Sequence, residues 1–181
     1  MSGAINVYDD ALEPELLEDI LYEIDCRGFH YGWKSSRAVE FGHLNVAFAG
    51  RDRKNRRIID DEIPAPIKLV WQTLRERYMP TVKGAIRCYV NAHTYGMDGY
   101  PHTDSKNPLD VTGVLYLNRE WKREWGGETV LYRGDEIEAS IAPKFNRLFV
   151  FPSASFHAAR SLTRICPVAR MTFVVKGRTD A

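Results

Sequence analysis

Apolar positions along the chain change period partway through it. Leu16, Leu17, Ile20, Leu21 and Ile24 recur at the spacing of one helix face. Pro14 suits the first turn of such a helix, and Glu13, Glu15, Glu18 and Asp19 suit the positive end of its dipole. Gly28 is a plausible stop, which predicts a helix over 13–27. A second stripe, Ile67, Val70, Trp71 and Leu74, predicts a helix over 64–78 that Pro80 ends. From Lys83 onward the period shortens to that of strands. Runs at 85–91, 110–117, 128–132, 137–141, 147–151, 155–159 and 169–176 are separated by Gly, Pro, Asn and Asp. Shorter strands are expected at 5–8, 31–33 and 45–48. This pattern predicts a mainly β fold with flanking helices, a sandwich, barrel or jelly roll whose sheet is covered on one face by the helices. No repeat or low-complexity tract interrupts it. Residues 1–181 therefore read as one domain, with a helical and variable region to about 82 and a β core over about 83–177.

Composition narrows the partners. The net charge of +1 gives no global pull toward nucleic acid or a membrane surface. Aromatic residues make up 12% of the chain, which favours sheet packing. Cys26, Cys88 and Cys166 are widely spaced and odd in number, which argues against a disulfide framework or a zinc knuckle and for a reducing cytoplasm. The N-terminus MSGAINVYDD resembles neither a signal peptide nor a membrane span.

The candidate chemistry gathers at His102-Thr103-Asp104. On a strand, residues i and i+2 share a face, so an imidazole nitrogen and a carboxylate oxygen would be offered to one point. His157, between two later strand-like runs, would complete two histidines and a carboxylate, a facial triad that leaves positions open on Fe(II). Arg170 sits within Val168-Ala169-Arg170-Met171-Thr172-Phe173-Val174-Val175. A buried arginine there needs an anionic partner, and a bound dicarboxylate would serve. His30, His43 and His93 read as non-ligands; His93 is the nearest rival, but its setting NAHTYGMDG reads as a loop. The basic run Arg51, Arg53, Lys54, Arg56 and Arg57 reads either as a solvated loop neutralised by Asp60, Asp61 and Glu62, or as a flap over an anionic substrate.

Three blocks in order resemble the Fe(II)- and 2-oxoglutarate-dependent dioxygenases of the prolyl 4-hydroxylase-like branch: IRCYVNAHTYGMDGYPHTD, VTGVLYLNREWKREWGGETVLY and PKFNRLFVFPSASFHAARSLTRICPVARMTF. The resemblance implies a double-stranded β-helix, a distorted cupin-like jelly roll with iron at the mouth between two sheets. It implies His102, Asp104 and His157 as iron ligands, with Asp104 arguing against a halogenase. It implies O2 and 2-oxoglutarate as co-substrates, with ascorbate as a supporting reductant, and a hydroxylated product beside succinate. Arg170 would clamp the distal carboxylate of 2-oxoglutarate, aided by Thr172, and Tyr89 and Tyr116 match positions whose phenols reach the co-substrate. The segment between His157 and Arg170 is longer than the family pattern, which makes Arg164 the alternative anion ligand. The substrate is expected to be a peptidyl residue such as proline, or a free amino acid or other small metabolite. Asn91, His93, Tyr95, Arg51 and Arg53 are the expected substrate contacts. A zinc hydrolase on the same triad and a non-catalytic jelly-roll binding module are the alternatives, and the oligomeric state is open.

Overall fold

A computed structural model describes residues 4–35, 39–50 and 57–179. The elements run β1 (Asn6–Tyr8), α1 (Pro14–Arg27), β2 (His30–Trp33), β3 (His43–Ala49), α2 (Ala65–Tyr78), β4 (Gly84–His93), β5 (Val111–Tyr116), β6 (Thr129–Arg133), β7 (Glu136–Ile141), β8 (Leu148–Pro152), β9 (Phe156–Ala159) and β10 (Arg170–Arg178). The strands form a seven-stranded sheet of order β1-β8-β5-β10-β4-β3-β2 and a three-stranded sheet of order β7-β6-β9. Every strand pairing is antiparallel. This is the expected double-stranded β-helix.

Alternation along the central strands builds two separate cores. From β10, Phe173 and Val175 join Val90, Leu115 and the buried faces of both helices, Leu17, Ile20 and Ile24 from α1 and Ile67, Val70, Trp71 and Leu74 from α2. The opposite face of β10 carries Arg170, Thr172, Val174 and Lys176, which line a cavity. Below it Tyr89, Val114, Leu131, Phe149, Phe151 and Val174 pack between the two sheets. The helices therefore stiffen the back of the sheet and leave its concave face for chemistry.

Two strands outrun their predicted ends. β4 continues to His93, so this histidine lies on a strand and not in a loop, paired with Arg170 across the β4–β10 ladder. β3 begins at His43, whose ring stacks on that of His93 at 4.4 Å between centroids. The basic run at 51–56, with Arg51 and Arg53, lies outside the described residues. Of the acids beyond it, Asp60 turns inward instead of facing solvent. It accepts hydrogen bonds from the Trp71 indole at 2.5 Å and the Ala85 amide at 3.0 Å, while Arg57 pairs with Glu62.

The chain entering α1 is tied to the turn before β8. Asn146 bonds both backbone groups of Leu12, and Asp9 accepts from Lys144 at 2.7 Å and Arg147 at 2.6 Å. Hydrogen bonds from Arg147 and then Lys144 hold the Asp9 carboxyl well below its ordinary 3.8. A depressed carboxylate contributes stability above its unfolded pKa and loses it as pH falls toward the folded value. Asp9 is 37% exposed, so its share is at most about 1 kcal/mol. Asp9→Asn is expected to lower the denaturation midpoint slightly at pH 7, with the gap between wild type and variant narrowing progressively as pH falls below about 4 toward the depressed folded value. Urea melts across pH 2–7 check this, and parallel curves at every pH would refute it.

Candidate active site

His102 and His157 are brought opposite each other by the backbone. His102, which lies in no named strand, forms an isolated antiparallel bridge with His157 of β9, each amide donating to the other's carbonyl at 2.9 Å. Asp104 follows two residues on, its amide bonded to the Ser153 carbonyl at 2.8 Å. The segment is thus an extended connection stapled to the β8–β9 turn, not a continuation of β4. Gly99 permits the approach, because a Cβ there would stand 2.9 Å from the Ala159 nitrogen.

Both imidazoles are held in one tautomer. Nδ1 of His102 lies 2.7 Å from the Tyr100 carbonyl oxygen, and Nδ1 of His157 lies 3.0 Å from that of Ser155. A carbonyl only accepts, so each Nδ1 carries the proton and each Nε2 keeps its lone pair. The two Nε2 atoms point at one carboxylate, at 3.4 Å from Asp104 Oδ1 and 3.6 Å from Oδ2. The donor atoms of all three residues lie within 4.8 Å of one another. Ligand bonds of about 2.0–2.2 Å place neighbouring donors about 3 Å apart, so a metal fits with small adjustments. Burial pushes the His157 imidazole down to about 4, which keeps it neutral and ready to ligate. His30, His43 and His93 join no such group among the described residues.

The carboxylate is engaged at both oxygens. Lys176 donates to Asp104 Oδ1 at 2.5 Å and Thr112 to Oδ2 at 2.9 Å, and Thr112 is held in turn by Ser153 at 2.8 Å. Burial alone would raise the Asp104 carboxyl. The Lys176 ammonium, with His157 and His102 beside it, overrides that and holds it well below the usual carboxylate range. Neither Lys176 nor Thr112 was expected from sequence. The alternation that places Arg170 and Thr172 on the cavity wall extends to Lys176, so the signal existed. Thr112 reaches the site by a sheet pairing that no spacing encodes.

Arg170 is 2% exposed at the other end of the same cavity. Its Nη2 donates to Thr129 Oγ1 at 2.6 Å, and its guanidinium carbon lies 5.0 Å over the Tyr116 ring. The Tyr116 hydroxyl sits 3.0 Å from Thr129 Oγ1 and 2.8 Å from the Ile141 carbonyl oxygen. Tyr116 therefore stands behind Arg170 and off the cavity wall, whereas Tyr89 and Thr172 line it. Gly127, at φ 77°, makes room: a Cβ there would come within 3.1 Å of Arg170 Cδ. No carboxylate pairs with Arg170 among the described residues, and its Nε has no hydrogen-bond partner. A buried guanidinium without an anion is costly, so the pocket suits an anionic ligand. Arg164 is exposed in the loop before β10 and outside the cavity lining. Asn91 and His93 line the cavity; Tyr95 is 59% exposed and does not. Burial, with Arg170 and His43 adjacent, holds the His93 imidazole well below its usual range and hence neutral.

One cavity of about 620 Å³, its open mouth included, thus joins a three-ligand metal cradle to an arginine awaiting an anion. Residues 88–175 match the sequence pattern of the 2OG-Fe(II) oxygenase superfamily. The chain carries that superfamily's pattern over the stretch that holds the metal cradle and Arg170. It is an oxidoreductase whose chemistry uses Fe(II), 2-oxoglutarate and dioxygen, which sets aside the zinc-hydrolase and non-catalytic readings. Solved structures similar to this oxygenase share its fold across nearly the whole chain. A prolyl hydroxylase from Trichoplax adhaerens, in complex with a hypoxia inducible factor oxygen degradation domain peptide fragment, is 21% identical with a TM-score of 0.68, over 97% of this chain and 83% of that one. A prolyl-4-hydroxylase from Pseudomonas putida is 17% identical with a TM-score of 0.66, over 98% and 93%. SnoK, a non-heme alpha ketoglutarate dependent carbocyclase from nogalamycin biosynthesis, is 13% identical with a TM-score of 0.65, over 98% and 79%. No curated protein sequence matches the chain significantly. No helix among the described residues is long and apolar enough to cross a membrane.

Proposed function

We propose that this oxygenase hydroxylates an unactivated C–H bond of a peptidyl residue such as proline, or of a free amino acid or other small metabolite. His102, Asp104 and His157 hold the iron. Arg170 binds the distal carboxylate of 2-oxoglutarate, with Thr172 as a further donor. The observation that carries this reading is the buried Arg170, without a carboxylate, in the same cavity as three converging metal donors.

The chain's own groups divide the work. Nδ1 of each histidine stays bonded to its carbonyl and fixes the ring. Lys176 and Thr112 hold Asp104 ionised and aimed. A guanidinium can give two parallel hydrogen bonds to a carboxylate, and this fixes the depth of the co-substrate. Tyr116 and Thr129 brace that guanidinium from behind. Phe151, packed edge-on against His157 at 4.8 Å, helps exclude water from the cradle. Bound iron supplies dioxygen activation, coupled to decarboxylation of 2-oxoglutarate to succinate.

Purified protein, titrated anaerobically with Fe(II) and then 2-oxoglutarate, is expected to develop a weak visible charge-transfer band and, once aerated, to release succinate. Neither should appear in His102→Ala. A protein that binds Fe(II) but gives no band with 2-oxoglutarate would overturn the assignment.

A further inference from the structure

We infer that the substrate of this site carries a free carboxylate close to its reacting carbon, and that Arg87 and Trp33 form the subsite that receives it. The inference builds on the roles proposed above for the triad and Arg170. It begins with a charge count. Arg87, Arg170 and Lys176 line the cavity, and Asp104 is the single carboxylate in that lining. Arg170 is committed to the co-substrate and Lys176 is bonded to Asp104. Arg87 is left over.

Its position makes the surplus costly. Arg87 and Lys176 are directly opposed in the β4–β10 ladder and point to the same face. Like charges so placed repel unless an anion lies between them. Asp104 relieves only Lys176. Arg87 makes no hydrogen bond or ion pair within the described residues; its guanidinium carbon rests 5.8 Å over the Trp33 ring. Trp33 in turn packs at 5.9 Å from Tyr89, whose ring lies 5.6 Å from Lys176 Nζ. Trp33, Arg87, Tyr89 and Lys176 thus form one wall, half aromatic and half cationic. Iron would deepen the imbalance, because Asp104 would then serve the metal as well.

Arg170 cannot be the same subsite. It sits at the opposite end of the cavity face of β10, opposed to His93, six residues from the Lys176–Arg87 rung or roughly 20 Å along the strand. Asp104 ties the metal cradle to the Lys176–Arg87 rung, so Arg87 stands on the substrate side beside the cradle and Arg170 serves the co-substrate at the far end of the cavity face. An aromatic floor beneath a guanidinium suits a compact organic acid: the ring packs on carbon while the fork takes the carboxylate.

The test uses protein loaded with Mn(II) and saturating 2-oxoglutarate, so that the Arg170 pocket is filled. Calorimetry then follows binding of the free amino acids and short carboxylic acids, each beside its primary amide, and of N-acetyl-aspartyl amide and N-acetyl-glutamyl amide. At least one acid is expected to bind about tenfold or more tightly than its amide. Arg87→Met should abolish that preference and Arg87→Lys should keep part of it. A free amino acid as the better ligand assigns the carboxylate to a small metabolite, and an N-acetylated amide assigns it to an acidic side chain in a peptide. Either supports the subsite. Equal binding of acid and amide to the wild type overturns it, as does an unchanged preference in Arg87→Met, or no binding by any acid once 2-oxoglutarate is bound. Failure of 2-oxoglutarate itself to bind the Mn(II) protein brings down the proposed function and this inference together.

Discussion

Arg170→Met is expected to weaken 2-oxoglutarate binding by roughly 30-fold to several thousand-fold while leaving the metal-free protein as stable as before, or more so. The two effects have opposite signs because the residue stands in two environments. Without a ligand its guanidinium is 2% exposed and has Thr129 and the ring and hydroxyl of Tyr116 as partners, none of them anionic. Desolvation of that cation is poorly repaid, and replacing it by an apolar side chain of similar length removes the cost. Thr129 and Tyr116 remain bonded to each other, so no new buried polar group is orphaned. With a dicarboxylate bound, the same truncation leaves a buried carboxylate unpaired. That loss is worth about 2–5 kcal/mol, or roughly 30- to several thousand-fold in affinity. Arg170→Lys should fall between, since it keeps the charge and loses the bidentate fork. Mn(II)-dependent 2-oxoglutarate binding by calorimetry, beside thermal melts of the apo protein, gives both numbers. A variant that binds 2-oxoglutarate normally but melts several degrees lower would make Arg170 a structural residue.

Why Arg170 was readable from sequence and Lys176 was not is instructive. Both belong to one alternation on β10, but an arginine amid Val, Met and Phe stands out, whereas a lysine near a strand end reads as a side chain reaching for solvent. Strand and helix positions were legible because the period of the apolar residues survives in any tertiary context: the stripe Ile67, Val70, Trp71, Leu74 is fully buried in the fold. Register was not. It is the ladder that sets Lys176 against Arg87 and Arg170 against His93, and a ladder is a property of two strands at once. His93 itself was misplaced because Gly, Thr and Asn around it signal a turn, while pairing with β10 and stacking on His43 draw the strand one residue pair further. The triad was legible as chemistry. Its geometry, a single backbone bridge between His102 and His157 rather than a continuous strand, was not.

Asp104→Ala should abolish metal binding and also destabilise the apo protein, and the two losses can be separated. Loss of an outer-shell partner typically costs 10- to 100-fold in metal affinity. Removal of a ligand from a three-residue cradle should exceed that, so no Fe(II) or Mn(II) binding is expected at micromolar metal. The stability loss has another cause. Asp104 and Lys176 form a buried ion pair, their side chains 3% and 8% exposed. Deleting one partner strands the other, at a cost of about 3–5 kcal/mol, which in a chain of this size lowers the melting temperature by roughly 10 °C. Removing both charges together should restore much of it, because replacing a buried pair by apolar groups is often neutral. The double variant Asp104→Ala/Lys176→Met is therefore expected to melt nearer the wild type than Asp104→Ala does, and still to bind no metal. Lys176→Met alone should show the intermediate case: a carboxylate that has lost its counter-ion but gains attraction for a divalent cation in exchange, because the ammonium no longer competes for Oδ1. Its apo melting temperature should fall, and Mn(II) should recover more stability in it than in the wild type. If the double variant melts no higher than Asp104→Ala, the Lys176 contact contributes nothing in solution, and Asp104 is held by Thr112 and the Ser153 turn alone.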